Sequence, residues 1–177
     1  MGSGPASTKT YEVDGFNGID VCCGFHAIVT GGENFDVAVT ADQEVLPHVQ
    51  VVRDGGTVER TLDGNRGGSF LTTTLEVRNA MPELQRVVLS GGARLELGES
   101  IRRGLHLVLD GSGGARADLT KMQVDQASAR LSGGSTAAVT TTGTLDYDLD
   151  GGSALDYFGH PHVGQGATSG GASASEE

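Results

Sequence analysis

The sequence contains no tryptophan, and it has only five phenylalanines and three tyrosines among 177 residues. A core must therefore be built from Val, Leu, Ile and Ala, which suits thin layers of strands.

No stretch approaches the roughly 20 apolar residues that a membrane-spanning helix needs. Lys and Arg number 12 against 23 Asp and Glu, and the resulting net charge of −11 repels phosphate backbones and anionic lipid headgroups. The composition argues against nucleic acid and membrane surfaces as partners, and it predicts no membrane span.

Cysteine is also scarce, since the chain has only Cys22 and Cys23. Two adjacent cysteines cannot form a framework of disulfides between distant segments. In a strand they point to opposite faces, and a bond between them needs a distorted peptide. The sequence therefore predicts one buried thiol and one exposed thiol, with a vicinal disulfide as the alternative.

The length favours one domain, because 177 residues suffice for one core of ordinary size. Residues 1–10 lack the apolar segment of a signal peptide and are expected to be an added or disordered leader. Residues 162–177 are rich in Gly, Ala, Ser and Glu, a composition that does not offset the entropy of ordering, so a flexible tail is predicted. The folded domain is expected to cover residues 11–161.

Glycine is abundant, with 29 residues, and many of them come in pairs. The later pairs recur about every 20 residues, and between them apolar and polar residues alternate, as in strands with one buried face. Two short strands cannot bury that face alone, whereas stacked copies share a continuous interior. The pattern predicts an all-β fold: a single-domain parallel β-solenoid, or β-helix, with coils of about 20 residues and glycine-rich corners at positive φ. The pairs begin at Gly31, Gly55, Gly67, Gly91, Gly113, Gly133 and Gly151.

The same alternation predicts which side chains face inward, including the odd-numbered leucines of residues 105–109. Matching the glycine pairs places Arg94 beside Arg116, and Glu96 beside Asp118, on the outer face, with each arginine diagonal to a carboxylate. A strip of this kind is either a recognition surface or a solvated face with weak ion pairs. We expect the solvated face, because exposed pairs contribute only about 0–1 kcal/mol each.

Three carboxylates, those of Asp146, Asp148 and Asp150, point to one side of the segment "LDYDLD". They are candidate Ca²⁺ ligands, but a straight strand does not converge the six to eight oxygens that Ca²⁺ requires. The "HPH" of His160 and His162 begins a metal site only if a further ligand approaches it in space. The sequence therefore predicts no metal and no other cofactor, and it assigns the carboxylates to solubility and edge protection.

No catalytic motif occurs in the chain. There is no nucleophile elbow, HExxH or dinucleotide fingerprint, and the "GSGG" at 111–114 lacks the following helix that would make a phosphate cradle. The sequence therefore predicts a protein that is not an enzyme. The alternative rests on fold analogy alone, since parallel β-helices also serve as polysaccharide lyases and hydrolases.

Four short motifs, in order along residues 11–161, resemble the head GIN domain family of bacterial autotransporter adhesins, a domain of unknown function. They read "GF..I.V", "V.VTAD..VLP.V", "L.RVVLSGGA" and "S.LDYFG.P". The resemblance implies an exported bacterial β-solenoid and no catalytic residues. The sequence departs from the family pattern in its turns, where the usual "SGSG" is replaced by "SGG", "DGSGG" and "DGG", and in its cysteine pair. The matching residues are Gly15, Phe16, Ile19 and Val21; Val37, Val39 to Asp42, Val45, Leu46, Pro47 and Val49; Leu84 and Arg86 to Ala93; and Ser153, Leu155 to Gly159 and Pro161.

The function expected from these features is a non-catalytic structural or adhesive module, exported to the cell surface or the periplasm. A carbohydrate-active β-helix enzyme, either a lyase or a hydrolase, is the alternative. The expected partners are a surface polysaccharide or protein, and a second copy of the chain through the solenoid ends. A solenoid end leaves backbone groups unpaired, and Tyr157 and Phe158 lie together on what the sequence presents as the final strand, so they are the candidates for self-association.

Overall fold

The computed structural model describes residues 5–62, 75–99, 101 and 103–177 of the chain. These residues form strands and turns, with one short 3₁₀ helix at Leu46–His48. The fold is therefore all-β, as the sequence predicts. The strands are β1 (Ala6–Tyr11), β2 (Gly18–Val21), β3 (His26–Gly31), β4 (Asp36–Asp42), β5 (Val49–Asp54), β6 (Thr57–Leu62), β7 (Glu76–Met81), β8 (Arg86–Leu89), β9 (Arg94–Leu97), β10 (Arg103–Gly111), β11 (Arg116–Leu131), β12 (Thr136–Leu149), β13 (Ala154–Phe158), β14 (His162–Thr168) and β15 (Ser173–Glu176).

The 15 strands belong to one sheet that follows two rows. In spatial order, the first row holds β5, β6, β2, β8, β10, the second halves of β11 and β12, and β14. The second row holds β1, β4, β7, β3, β9, the first halves of β11 and β12, β13 and β15. Strands β11 and β12 pass from one row to the other, so they join the rows into one sheet.

The sheet is mixed, which differs from the all-parallel arrangement that the sequence predicts. Most neighbouring strands are parallel, but β1 with β4, β4 with β7 and β5 with β6 are antiparallel. The pair β5 and β6 shows the reason. Only Gly55 and Gly56 separate these strands, and a connection of two residues can join antiparallel neighbours but not parallel ones.

The order of strands in space differs from their order in the chain near the N-terminus. Strand β2 lies between β6 and β8, and β3 lies between β7 and β9. Strands β2 and β3 therefore lie inside the sheet, with β6 and β7 on one side and β8 and β9 on the other. The rest of the sequence must fold around this early segment.

The core lies between the two rows and consists mainly of Val, Leu, Ile and Ala, as the scarcity of aromatics predicts. Alternate residues of each strand are buried, and Leu107 and Leu109 follow that pattern at 1% exposure each. Leu105 does not, since it is 70% exposed. The prediction that Leu105 faces inward is therefore wrong, because the alternation of β10 is interrupted: Leu105 and His106 are both exposed between the buried residues Gly104 and Leu107.

The predicted register of the charged strip is confirmed, because Arg116 pairs with Arg94 and Asp118 with Glu96 across parallel strands. The predicted ion pairs within it are absent from the described part of the chain. Oε1 of Glu96 instead lies 3.2 Å from Nε2 of His26. Oδ1 of Asp118 accepts hydrogen bonds from the Thr120 backbone N–H and hydroxyl.

The later glycine pairs occupy the corners between the rows, as predicted. In the turns at Gly91, Gly113, Gly133 and Gly151 both glycines have positive φ, between 58° and 80°. A further turn of this kind follows at Gly170. The pair at Gly31 ends a strand without positive φ, the pair at Gly55 closes an antiparallel hairpin, and the pair at Gly67 lies outside the described residues.

Both ends of the chain differ from the sequence-based expectation. Residues 162–177 form β14 and β15, where a flexible tail is predicted, and residues 6–10 belong to β1, where a leader is predicted. Backbone hydrogen bonds explain the C-terminal difference, since Ser169 N donates to Leu149 O at 2.8 Å and Ser173 N donates to Ser153 O at 2.9 Å. A segment that adds to an existing sheet edge needs little side-chain burial, which composition alone does not reveal.

Candidate functional site

A groove of about 250 Å³ crosses the outer face of the first row, where the strands end and the glycine turns begin. One side is formed by Asp110, Arg130 and Asp148, which are direct neighbours on three adjacent parallel strands. Such neighbours lie ~4.8 Å apart. The other side is formed by the residues that open the turns, including Ser132 and Asp150. The groove therefore combines three carboxylates, one guanidinium group and two serine hydroxyl groups.

The charges in the groove are partly paired with neighbouring groups. Nη2 of Arg86 lies 3.4 Å from Oδ2 of Asp110. Oδ1 of Asp150 accepts a hydrogen bond from Gly151 N at 2.6 Å and another from the Ser169 hydroxyl at 3.1 Å. Asp148 and Arg130 are exposed, so their side chains are the ones that a ligand could reach first.

The structure places the predicted metal candidates at separate positions. Asp146 and Asp148 lie on β12, and Oδ1 of Asp146 accepts a hydrogen bond from Gln165 N at 2.7 Å. His160 Nδ1 lies 2.8 Å from Oε1 of Glu176, and His162 is exposed at the start of β14. Within residues 5–62, 75–99, 101 and 103–177, no three His, Cys, Asp or Glu side chains converge as metal ligands would.

Tyr157 and Phe158 lie on β13, which is not the final strand of its row. Strand β15 pairs with β13 as far as Tyr157, whose register partner is Glu176. Phe158 lies one residue beyond that last pair, and its side chain is half-buried. The sheet edge that the sequence assigns to β13 is therefore formed by β14 and β15.

The cysteine pair is the first feature that sequence reasoning missed. Cys22 and Cys23 form a vicinal disulfide, so the prediction of two separate thiols is wrong. The prediction fails because β2 ends at Val21 and the pair lies in the following turn, where strand alternation no longer applies. Cys23 has φ +64° and Gly24 has φ +78°, the same pair of values that the glycine turns adopt. Aligning "CCGF" with "SGGA" would have revealed this turn.

A buried polar pair is the second feature that sequence reasoning missed. Arg60 on β6 and Asn79 on β7 are each 1% exposed, and Arg60 Nη2 donates to Asn79 Oδ1 across the core. Burial lowers the pKa of Arg60 to about 10, against a smaller opposing effect of Asp20. Nε and Nη1 of Arg60 have no hydrogen-bond partner among the described residues. The signal was present in "TVERTL", where alternation places Val58 and Arg60 on the same inward face.

In the described part of the chain, no helix has the length and apolar character needed to cross a membrane.

The chain is similar to proteins of known structure. A putative adhesin from Bacteroides fragilis shares 14% sequence identity with it, over 99% of this chain and 99% of that one, with a TM-score of 0.66. A putative lipid binding protein from Parabacteroides distasonis shares 12% identity, over 99% of this chain and 98% of that one, with a TM-score of 0.54. At these identities the similarity shows a shared fold. No curated protein sequence matches the chain.

The family described as "Putative auto-transporter adhesin, head GIN domain" matches residues 15–108, just over half of the chain. The match includes three of the four motifs that carry the resemblance in the sequence, and the strands β2 to β9 lie inside it. The chain therefore belongs to this head GIN domain family.

Proposed function

We propose that the chain is a non-catalytic structural or adhesive module that acts at the cell surface or in the periplasm after export. The observation that carries the proposal is the long sheet, which presents two rows of regularly spaced outward side chains to solvent. A surface of this kind suits an extended partner, because the same strand spacing of ~4.8 Å repeats along it. Membership of the head GIN family and the described similarity to adhesin-named structures support the proposal.

We infer that the parallel part of the sheet is a β-solenoid. Strands β2, β8 and β10, and the second halves of β11 and β12, are each followed by a corner and then by a strand of the second row, and corresponding strands of successive repeats are parallel. The antiparallel strands β1, β4 and β5 then close one end of the stack. The solenoid and this closing segment form a single domain over residues 11–161, to which residues 162–176 add two more strands.

Binding without cleavage is the test of this function. The 177-residue protein is applied to immobilised neutral and acidic polysaccharides, and both retention and release of reducing ends are measured. We expect retention that weakens when Arg130→Ala and Asp148→Asn remove exposed charges of the groove. Thr136→Ala, at an exposed position of the second row, is the control. No retention on any polysaccharide would contradict polysaccharide adhesion.

The groove favours one alternative function, a carbohydrate-active enzyme. Asp110 and Asp148 flank Arg130, so two carboxylates lie roughly 10 Å apart along the stack, slightly more than the widest separation of the two carboxyl groups in inverting glycosidases. Release of reducing ends by the wild type, and its loss in Asp148→Asn, would support the enzyme and contradict the adhesive module.

We also propose that the chain associates with itself through the end formed by β14 and β15. Among the strands that the structure describes, each of these two pairs with only one other, and neither contains Lys or Arg. Strands β1 and β5, in contrast, carry the charged residues Lys9, Arg53 and Asp54, which discourage edge pairing. A second copy can add to this edge, whose strands contain no Lys or Arg, by antiparallel pairing of like strands. Tyr157 and Phe158, which lie beside that edge, would contact the second copy.

Sedimentation velocity over a range of concentrations tests self-association. We expect a concentration-dependent dimer for the wild type and a monomer for Phe158→Lys. The Thr10→Lys variant adds the same charge at an exposed position of β1, at the opposite end of the second row, and should remain dimeric. A wild-type protein that stays monomeric at millimolar concentration would show that the proposal is wrong.

A further inference from the structure

The vicinal disulfide of Cys22 and Cys23 is an exposed chemical group that neither the family nor the proposed function explains. The two Cα atoms lie 3.7 Å apart, and the residues form the first half of the turn between β2 and β3. Cys23 is exposed, and so is Gly24 beside it, whereas Cys22 is half-buried. The sulfur of Cys23 is therefore the one that a reagent in solution can approach.

On the side of β8 and β9, the neighbouring turn leaves that approach open. The turn of Cys23 and Gly24 lies against the turn of Gly91 and Gly92, where a Cβ built on Gly91 would be only 3.4 Å from Cys23 N. Gly91 and Gly92 have no side chains, so on this side they do not cover the sulfur of Cys23. Ser90, which opens that neighbouring turn, corresponds to Cys22, because Ser90 N donates to Val21 O at 3.0 Å.

The surroundings of Cys22 favour its release as a thiol. Its Sγ lies 3.4 Å from the carbonyl oxygen of Arg60. A disulfide sulfur carries no hydrogen and gains nothing from this acceptor, whereas a thiol S–H can donate to it. The two sulfurs therefore differ. Cys23 is the more accessible to an attacking group, and Cys22, once reduced, can donate a hydrogen bond to the Arg60 carbonyl oxygen.

We propose that Cys22 and Cys23 form a thiol–disulfide exchange site, at which a small exogenous thiol attacks Sγ of Cys23 and releases Cys22. A bond forms between the incoming thiolate sulfur and Sγ of Cys23, while the bond between the two cysteines breaks. The electron pair of the broken bond goes to Cys22, which takes a proton from water. A second thiol attacks the sulfur of the first and releases Cys23, so two thiols are oxidised to their disulfide as the protein disulfide is reduced.

Reduction also affects the turn. Cys23 holds a left-handed φ at a position where the other corner turns have glycine, and a side chain in that conformation is unfavourable. In the native state, the disulfide helps to hold Cys23 in this conformation. In the unfolded chain it restricts the Cys22–Cys23 dipeptide, so reduction increases the entropy of the unfolded state. Both effects of reduction lower the free energy of unfolding. A higher concentration of small thiols around the protein therefore reduces the disulfide and lowers the stability of the turn between β2 and β3.

The first experiment measures access under native conditions. The oxidised wild-type protein is treated with N-ethylmaleimide, with and without prior dithiothreitol, and its intact mass is measured. We expect no addition without dithiothreitol and two additions after it, with reduction no more than tenfold slower in native buffer than in 8 M urea. Two additions without dithiothreitol, or reduction only in urea, would overturn the proposal.

The second experiment tests which sulfur is attacked. Cys22→Ser leaves Cys23 alone, and Cys23→Ser leaves Cys22 alone. We expect the single Cys23 to react with 5,5′-dithiobis(2-nitrobenzoate) at least tenfold faster than the single Cys22. Equal rates, or a faster Cys22, would contradict attack at Cys23.

The third experiment separates exchange from folding. The double variant Cys22→Ser with Cys23→Gly reproduces the Ser-Gly-Gly turn found at Ser90 and Ser132. Dithiothreitol should lower the melting temperature of the wild type by a few degrees. It should leave the double variant unchanged, and both should show the same circular dichroism before heating. An unchanged wild-type melting temperature after verified reduction would contradict the link to the turn.

Discussion

At the scale of single residues, the direction of each side chain decides its contribution to stability. Leu107 and Asp148 illustrate the two directions, because Leu107 is 1% exposed in the core and Asp148 points outward on β12. Alternation in the sequence predicts both directions. It fails for Leu105, because period two describes a regular strand and not an interruption in it. It does place Arg60 inward with Val58, but the charge of an arginine argues against burial, so that signal is easily discounted.

The first prediction compares these two positions. Leu107→Asp places a carboxylate in an apolar interior, and we expect a loss of several kcal/mol or a failure to fold. Asp148→Ser removes an exposed charge and should change the free energy of unfolding by less than about 0.5 kcal/mol. Urea unfolding followed by circular dichroism measures both values. Losses of similar size would mean that one of the two directions is misassigned.

The second prediction concerns the pH dependence of stability. Burial, and then the negative charge of Glu59, raises the pKa of Asp20 against the weaker opposing effects of Arg60 and Arg86. The native state therefore retains the Asp20 proton at pH values where the unfolded state has released it. The free energy of unfolding falls as pH rises from the ordinary pKa of 3.8 through the raised value, and the loss persists above it.

Asp20→Asn removes this titration. Because Asp20 is only half-buried, we expect a gain of about 0.5 kcal/mol or less at pH 7 and none at pH 3. Urea unfolding of both proteins at these two pH values provides the measurement. A variant that loses stability at pH 7 would show that the Asp20 carboxylate is stabilising.

The third prediction treats Arg60 and Asn79 as one unit. In the next strands Val21 and Val29 occupy the corresponding inward positions, so an apolar pair fits this column of the core. Asn79→Leu alone deprives a buried guanidinium group of its acceptor, and we expect a loss of about 3 kcal/mol. Adding Arg60→Leu should restore the wild-type free energy of unfolding or exceed it. Additive losses in this double-mutant cycle would show that the two side chains act independently.

At the scale of elements, the corner turns are the units that repeat most faithfully. The first glycines of successive turns stack closely: a Cβ on Gly133 would lie 3.0 Å from Gly113 N, and one on Gly151 would lie 2.9 Å from Gly133 N. The second glycines have open space around them. The two glycines of a pair are therefore required for different reasons, although both have positive φ.

The fourth prediction uses this difference. Gly134→Ala meets only the cost of a left-handed residue, about 1–2 kcal/mol. Gly133→Ala meets that cost and a clash with the backbone of the preceding turn, and should lose at least about 1 kcal/mol more. Guanidinium unfolding of the two variants beside the wild type gives both losses. Equal losses would mean that the stacked turns can move apart.

The turns also show how far the sequence predicts the fold. Glycine pairs with a spacing near 20 residues predict the corners, the parallel neighbours and the pairing of Arg94 with Arg116. They do not predict the turn at Cys23, because its first position lacks glycine. They do not predict β14 and β15 either, because backbone hydrogen bonds to an existing edge hold those strands and leave no hydrophobic pattern. The sequence does not predict the groove either, because the groove depends on which outward residues the register of β10, β11 and β12 places side by side.

At the scale of the whole molecule, the N-terminal half is interleaved and the C-terminal half is sequential. Strands β2 and β3 have neighbours on both sides that come later in the chain. Strands β14 and β15 each have one neighbour in the described part of the chain, and both neighbours precede them. The two ends of the chain should therefore differ greatly in how much of the fold depends on them.

The fifth prediction compares deletions at the two ends. Removal of residues 162–177 takes away two edge strands, and the remaining chain should keep its circular dichroism spectrum and a cooperative melt at a lower temperature. Removal of residues 1–31 takes away β1, β2 and β3. It leaves a gap in the sheet between β6 and β8 and another between β7 and β9. The core also loses Ile19, Val21 and Val29. We expect that protein to show no cooperative melt.

Removal of residues 1–10, which deletes most of an edge strand with one neighbour, is the control and should leave a folded protein. A cooperative melt after deletion of residues 1–31 would mean that β6 and β8 can pair directly, and that the interleaved segment is not needed for folding.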